Sequence, residues 1–197
     1  QDTRTATFSF FPAHFMSTGE GGMVLTNDTA EFTRLRSKRD WGRDCWCLPG
    51  VDNTCGHRFD YTVDGIAYDH KYTYSTMGYN LKATDLQAAV GLEQLKKLPA
   101  FLETRRANFT HLYENLRDAD DYFYLPVSYK PNTAWFGFPL TIREDAGFTR
   151  KQLTDYLEVN GVATRLMFGG NITRQPYMKR VAFDADPLPN ADAVMER

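Results

Sequence analysis

The stretch Ser9–Gly22 reads SFFPAHFMSTGEGG, and its reading decides the fold. The residues entering it, Thr5–Phe11, are rich in threonine and phenylalanine and predict a β-strand. Gly19, Gly21 and Gly22 then mark a turn, and Met23–Thr26 predicts a returning strand. The segment is therefore expected to be a hairpin, with His14 carried near its bend. Asn27 or Asp28 can cap a following helix that runs to about Arg39.

Downstream, Asp44–Arg58 reads DCWCLPGVDNTCGHR and holds all three cysteines of the chain, Cys45, Cys47 and Cys55. The spacing C-x-C-x7-C beside glycine, proline and asparagine predicts a loop on which the thiols converge. Three cysteines cannot pair evenly, which disfavours a secreted disulfide framework. Two metal readings stay open. Thiolates ligate iron–sulfur clusters, and zinc takes sulfur and nitrogen, with His57 available as a fourth donor.

Irregular, aromatic sequence continues to Tyr79. Thr84 and Gln87 then form a capping box opening a helix to about Leu98, with Leu86, Ala89, Val90 and Leu95 at helical spacing. Pro99 is expected to start a separate helix to about Leu116, striped by Leu102, Phe109, Leu112, Tyr113 and Leu116. Trp135–Ile142 reads as β-rich, with Phe136, Phe138, Leu140 and Ile142 on one face. Thr149 can cap a helix to about Asn160, closed by Gly161, and Val162–Phe168 is expected to return as a strand. Strand–helix–strand in so short a span predicts a small α+β domain. The boundary is placed inside the second long helix, giving residues 1–105 as part of a larger domain and 106–197 as the small one. Helix-like sequence begins again after Pro187 and Pro189 and stops in ADAVMER, while the chain opens on Gln1, so a fragment of a longer protein is expected.

The net charge of −2 offers no basic footprint for nucleic acid. No apolar run reaches the roughly 18–20 residues that a membrane span needs, and no export signal is visible. With 42% apolar and 24% charged residues, the composition is that of a soluble globular protein, and a cytoplasmic location is expected.

SFFPAHFMSTGEGG resembles the cofactor segment of the DegT/DnrJ/EryC1/StrS sugar aminotransferases, which reads roughly S-F-x-x-x-K-x-x-x-x-x-E-G-G. The resemblance implies an α/β fold of the aspartate aminotransferase type (PLP-dependent transferase, type I): the C-terminal part of the large domain plus a small α+β domain. In that family the lysine forms the Schiff base with pyridoxal phosphate, and the serine five residues earlier contacts the cofactor phosphate. Here the serine is Ser9 and the lysine position holds His14. MGYNLKATDLQAAVGLEQL (Met77–Leu95) resembles the family's GYN-x-x-x-T-D-x-Q-A-A stretch. Its asparagine, Asn80 here, is implied to reach the cofactor phosphate of the neighbouring subunit in a homodimer with shared sites.

A histidine at the lysine position together with C-x-C-x7-C resembles the CDP-4-dehydro-6-deoxyglucose 3-dehydrase branch. That branch serves 3,6-dideoxyhexose and lipopolysaccharide biosynthesis and uses pyridoxamine 5′-phosphate with a [2Fe–2S] cluster. RDWGRDCWC, DNTCGHRF, YDHKY and GNITRQP extend the likeness over nearly the whole chain. The branch implies Cys45, Cys47 and Cys55 as cluster ligands with a fourth cysteine upstream, a CDP-4-keto-6-deoxyhexose substrate, and a flavin and iron–sulfur reductase as partner.

The histidine makes chemical sense without the family. An amine at this site captures the aldehyde cofactor and transfers a proton at its C4′. Imidazole cannot do the first but, with an ordinary pKa of about 6.5, suits the second. His14 is thus expected to serve as a base, with elimination of the C3 hydroxyl replacing amine exchange.

Arg165 and Asn171, in GVATRLMFGGNITRQP, resemble a small-domain segment facing the active site, and an arginine fork suits a diphosphate. His70 can line the active site or be structural, and His111 lies on a helix with no partner in view. Lys71, Lys82 and Lys179 do not occupy the Schiff-base position. The competing readings are an ordinary nucleotide-sugar aminotransferase and a catalytically silent, metal-binding member of the fold.

Overall fold

The computed structural model describes residues 5–47, 50–127 and 132–197, so Leu48 and Pro49 of the cysteine loop lie outside the described residues. Strand β1 (Thr5–Ser9) pairs antiparallel with β2 (Gly22–Thr26), Ser9 lying opposite Gly22. This is the hairpin that the alternation of phenylalanine with threonine and the glycine cluster specify. Its wide connection is closed by Phe10 N–H donating to the Gly21 carbonyl (2.9 Å) and Thr18 N–H to the Phe10 carbonyl (3.1 Å). Helix α1 (Thr29–Arg39) follows, capped by Asp28, whose carboxylate accepts from Ala30 N–H (2.9 Å) and Glu31 N–H (3.1 Å).

Beyond the cysteine loop, β3 (Tyr61–Val63) and β4 (Ile66–Tyr68) form a second hairpin. Asp64 and Gly65 connect them with φ of 51° and 80°, the two positive values a type I′ turn requires and a Asp-Gly pair supplies. A single 3₁₀ turn, His70–Tyr72, comes next.

Helix α2 (Asp85–Leu116) is continuous. Its start is the expected capping box: Gln87 N–H donates to the Thr84 hydroxyl (3.3 Å) and the Gln87 side chain accepts from Thr84 N–H (2.9 Å). Pro99 lies inside this helix, so the expected break into two helices does not occur. Proline removes only the bond to the carbonyl four residues earlier, and its fixed φ is itself helical; strong helix formers on both sides carry the chain through.

The chain divides into two units, Gln1–Pro99 and Ala100–Arg197. In the second, β5 (Phe123–Tyr124) pairs antiparallel with β6 (Thr141–Ile142). Trp135–Ile142 therefore contributes two strand residues where a longer strand was expected. Its aromatic rings pack elsewhere: Trp135 stacks on Phe109 of α2 at 4.8 Å, Phe138 lies 5.1 Å from the same ring, and Phe136 meets Phe168 at 6.0 Å. Pro139 also lacks the N–H a ladder needs. Helix α3 (Arg150–Val159) has the Thr149 cap as a full capping box with Gln152. Val162–Phe168 is not the expected strand and ends in a turn, with Phe168 at φ of 45°; Thr164 donates to the Glu158 carboxylate of α3 through both N–H (2.5 Å) and hydroxyl (2.7 Å). Helix α4 (Pro189–Glu196) ends the chain.

Among the described residues, few apolar side chains are buried: Ile142 and Ala146 in the second unit. The buried polar residues are His70, Thr73 and Asn171. In the first unit, burial is thus concentrated around the cysteine loop and not along α2, which has no buried residue. No described helix is long and apolar enough to cross a membrane.

Candidate functional site

The hairpin motif is held by α2. Gln87, having closed its own capping box, donates through its amide to the Glu20 carbonyl (2.8 Å). One turn on, a Cβ at Gly91 would stand 3.1 Å from the Thr18 methyl, so the bare glycine lets the loop lie close without crowding. The Gln94 side chain accepts from Ser17 N–H (3.4 Å). The two segments singled out in the sequence, the glycine turn and the Thr84–Gln87 box, are therefore one assembly.

On this frame Ser9 ends β1 at an exposed position, where its hydroxyl oxygen accepts from Phe11 N–H (3.3 Å) and keeps its own proton for another acceptor. His14 is half-buried in the bend; its N–H donates to the Phe11 carbonyl (2.9 Å), and its ring meets the Phe11 ring edge-on at 6.4 Å. A hydroxyl donor and an imidazole five residues apart on one hairpin suit the phosphate and the reacting carbon of a vitamin-B6 cofactor.

Asn80 lies on a segment stitched to the end of α1. Tyr79 N–H donates to the Lys38 carbonyl (2.7 Å), Leu81 N–H to the Arg39 carbonyl (3.0 Å), and Trp41 N–H to the Tyr79 carbonyl (2.9 Å), with Asn80 bridging to Asp40. The Asn80 side chain is exposed on this fixed backbone, flanked by Met77 (91% exposed) and Leu86 (81% exposed).

The cysteines converge, and a histidine joins them. Sulfur atoms of Cys45 and Cys47 and a ring nitrogen of His70 lie within 4.8 Å of one another, and His70 Nε2 is 3.5 Å from Cys55 Sγ. His70, left between a structural and an active-site role by the sequence, belongs to this cluster. His57, the expected fourth zinc donor, points its ring to Asp60 instead (3.1 Å), though its backbone N–H donates to Cys55 Sγ (3.4 Å). Asp69 sets the short turn that carries His70: its side chain accepts from Lys71 N–H (2.9 Å) while pairing with Arg58 (2.8 Å).

Electrostatics separate the thiols. A hydrogen bond with the Thr54 side chain, aided by the backbone and thiol of Cys55, holds the Cys47 thiol down to about 6. Burial pushes the Cys45 thiol up, with the neighbouring Cys47 charge adding to it. Cys47 is thus a thiolate at neutral pH, the form that binds metal.

A cavity of about 340 Å³ opens on this cluster, lined by Cys45, Cys47 and His70 and by Arg39, Arg43 and Lys82 among others. The Nε atoms of Arg39 and Arg43 are buried without a hydrogen-bond partner. Asp40 and Asp52 also line the cavity, and Asp40 pairs with Arg43 (3.6 Å) and Lys82 (2.7 Å). The thiols of Cys45, Cys47 and Cys55 are the ligand type of iron–sulfur groups, and the close set of Cys45, Cys47 and His70 offers the sulfur and nitrogen donors that zinc also takes.

In the second unit, Arg165 is exposed and donates to the Thr164 carbonyl (2.7 Å). Asn171 is 3% exposed and fully engaged: its amide donates to Asp192 (2.8 Å), and its carbonyl oxygen accepts from the Thr173 N–H (3.0 Å) and hydroxyl (2.7 Å). Asn171 thus fixes the loop to α4. His111 is exposed on α2.

The model of the DegT/DnrJ/EryC1/StrS aminotransferase family matches residues 2–197. The chain is 50% identical over 194 residues to the dTDP-4-dehydro-2,6-dideoxy-D-glucose 3-dehydratase of Saccharopolyspora spinosa, covering 97% of this chain and 42% of that protein. It is 46% identical over 195 residues to the lipopolysaccharide biosynthesis protein RfbH of Salmonella typhimurium, covering 97% and 45%. Among solved structures, E. coli GDP-4-keto-6-deoxy-D-mannose-3-dehydratase with bound hydrated PLP superposes with a TM-score of 0.79 at 26% identity, covering 98% of this chain and 48% of that one. The chain therefore spans less than half the length of these relatives, over their cofactor-transferase fold.

Proposed function

The chain belongs to the DegT/DnrJ/EryC1/StrS aminotransferase family, and from that premise we propose that it carries part of the active site of a pyridoxamine-phosphate-dependent 3-dehydratase of nucleotide-linked 4-keto-6-deoxysugars. The observation that carries this reading is His14 in the position where the family's pattern has its lysine, at the bend of the hairpin that α2 clamps. Relatives bearing the 3-dehydratase name support it.

When bound, pyridoxamine phosphate supplies an amine for the 4-keto carbon and a ring that accepts electrons. The protein residues do the rest. Ser9 donates its hydroxyl proton to the cofactor phosphate. His14 removes a proton at the cofactor's C4′, and a positioned general base contributes on the order of 10²–10⁴-fold in such a step. The proton gained by His14 would pass to the C3 hydroxyl, which leaves as water. Asn80, on its fixed backbone, donates to the cofactor phosphate of a neighbouring subunit. Arg165 pairs with the substrate diphosphate, and Asn171 keeps its loop in place.

Cys45, Cys47 and Cys55 would hold a [2Fe–2S] cluster, which would supply one-electron transfer from a flavin and iron–sulfur reductase. The low pKa of Cys47 supports this assignment. The nucleotide is proposed as CDP from the sequence resemblance. The dTDP-linked substrate of the Saccharopolyspora spinosa relative favours dTDP as a second reading.

The test is to incubate the intact protein with pyridoxamine phosphate and CDP- or dTDP-linked 4-keto-6-deoxyhexose. Loss of the C3 hydroxyl without amino-sugar formation is expected. Amino-sugar product, or pyridoxal phosphate covalently tethered to the protein, overturns the proposal.

A further inference from the structure

We infer that His70 is a positioning residue for the cluster, donating a hydrogen bond from Nε2 to the Cys55 thiolate and thereby raising the cluster's reduction potential. The inference rests on the iron–sulfur reading above and concerns a residue that reading does not use.

His70 is 5% exposed, so its imidazole has exchanged water for this environment and must find partners there. Nε2 lies 3.5 Å from Cys55 Sγ. Its ring also meets Trp46 edge-on at 6.2 Å, between Cys45 and Cys47 in sequence. Backbone bonds fix it from both sides. His70 N–H donates to the Arg58 carbonyl (3.1 Å), just beyond Cys55, and Thr73 N–H donates to the His70 carbonyl (3.2 Å). Asp44 N–H in turn donates to the Thr73 carbonyl (2.9 Å), and Arg43 bridges to Tyr74. The 3₁₀ turn is thus pinned to both the Cys45–Cys47 and the Cys55 segments. The Arg58–Asp69 ion pair (2.8 Å) and the Asp69 cap hold its start. A flexible surface histidine is not anchored this way.

The sign follows from charge. Reduction adds an electron whose density falls largely on the cluster and its thiolates, so a donor to sulfur stabilises the reduced form more than the oxidised one. Hydrogen bonds to sulfur are one of the terms that set such potentials. The ring nitrogen also lies within 4.8 Å of the Cys45 and Cys47 sulfurs, but its hydrogen-bond partner is Cys55 Sγ, which places the imidazole on sulfur and not on iron.

The experiment compares the intact wild-type protein with His70→Leu and His70→Gln. Iron and sulfide content are measured alongside the midpoint potential, by dithionite titration followed by electron paramagnetic resonance. Glutamine can place an amide N–H close to the position of Nε2, whereas leucine keeps the bulk and loses the donor. The expected result is unchanged iron and sulfide in all three. His70→Leu shifts negative by about fivefold in the ratio of reduced to oxidised cluster (~41 mV at 59 mV per tenfold), and His70→Gln stays close to wild type. An unmoved midpoint in His70→Leu overturns the inference alone. So do loss of the cluster in both variants, or a nitrogen coupling of iron-bound imidazole in the wild type. Wild-type protein that binds no iron overturns the inference together with the cluster reading beneath it.

Discussion

Gly78 lies backbone to backbone on Gly42. A Cβ on Gly78 would stand 2.1 Å from the Gly42 nitrogen, and one on Gly42 would stand 1.8 Å from the Thr76 carbonyl oxygen. Gly42 also has φ of +80° and is buried. This crossing brings the Asn80 segment onto the end of α1 and, through Asp40 and Arg43, sets it beside the cysteine loop.

Gly78→Ala is therefore expected to push the Asn80 segment away from α1. The contact is with backbone, which cannot rotate aside, so the strain falls on the bridge between Asp40 and Asn80. The expected outcome is a cofactor affinity reduced about tenfold or more with an intact first hairpin. A titration of pyridoxamine phosphate by absorbance checks it; wild-type affinity removes Asn80 from the cofactor site.

His14→Asn keeps size and polarity but has no titratable ring. Loss of C3 dehydration by roughly 10²–10⁴-fold is expected, the span of a general base, with cofactor binding nearly unchanged. Single-turnover assays of the 4-keto sugar decide it. His14→Lys is the informative companion: it restores the amine, so covalent capture of pyridoxal phosphate, seen as a shifted absorbance band, is expected.

Cys47 should be the most reactive thiol of the metal-free protein at neutral pH. Its pKa of about 6, set chiefly by Thr54, means that the thiolate dominates above pH 6 and is lost as pH falls through that value. Alkylation at Cys47 should follow this profile, while Cys45, pushed up by burial, reacts only at higher pH. Mass spectrometry of the labelled peptides distinguishes them. Thr54→Val should move the Cys47 midpoint upward. Cys47→Ser should retain dehydration and lose both iron and reductase-dependent turnover.

The elements legible in the sequence are those whose determinants are local. Asp28 and Thr149 caps, the Thr84–Gln87 box and the Gly19–Gly22 turn each act within a few residues, and each appears where it is expected. The Asp64–Gly65 hairpin was equally local and was passed over because aromatic residues on both sides obscured the alternation. The rest depends on distant partners. Trp135 and Phe138 have strand-like propensity, but Phe109 claims their rings. Val162–Phe168 has no paired strand among the described residues. In the site, the three cysteines declared themselves by spacing. His70 did not, since 15 residues separate it from Cys55 and tertiary contacts, the Arg58–Asp69 and Lys71–Asp52 pairs and the His70 N–H to the Arg58 carbonyl, fold the intervening hairpin back. Asn171 is expected as a substrate contact from its resemblance, and its burial against Asp192 is a tertiary feature that no local pattern carries.

Gln87 performs two separable tasks, and two substitutions can divide them. Its side-chain oxygen accepts from the Thr84 N–H (2.9 Å) and hydroxyl (3.1 Å), completing the helix cap. Its amide nitrogen donates to the Glu20 carbonyl (2.8 Å), clamping the glycine turn that carries His14. Gln87→Glu keeps an acceptor for Thr84 and places negative charge at a helix N-terminus, which is favourable. It has no donor for Glu20, and a carboxylate oxygen facing that carbonyl repels it. Gln87→Ala loses both. The alanine variant should lose about 1 kcal/mol for the cap and about 1 kcal/mol for the clamp, and the glutamate variant about the second amount alone. Thermal unfolding measures both. If the clamp positions the hairpin, dehydration should fall in both variants alike, despite their different stabilities; if only helix stability matters, Gln87→Glu should turn over as wild type does.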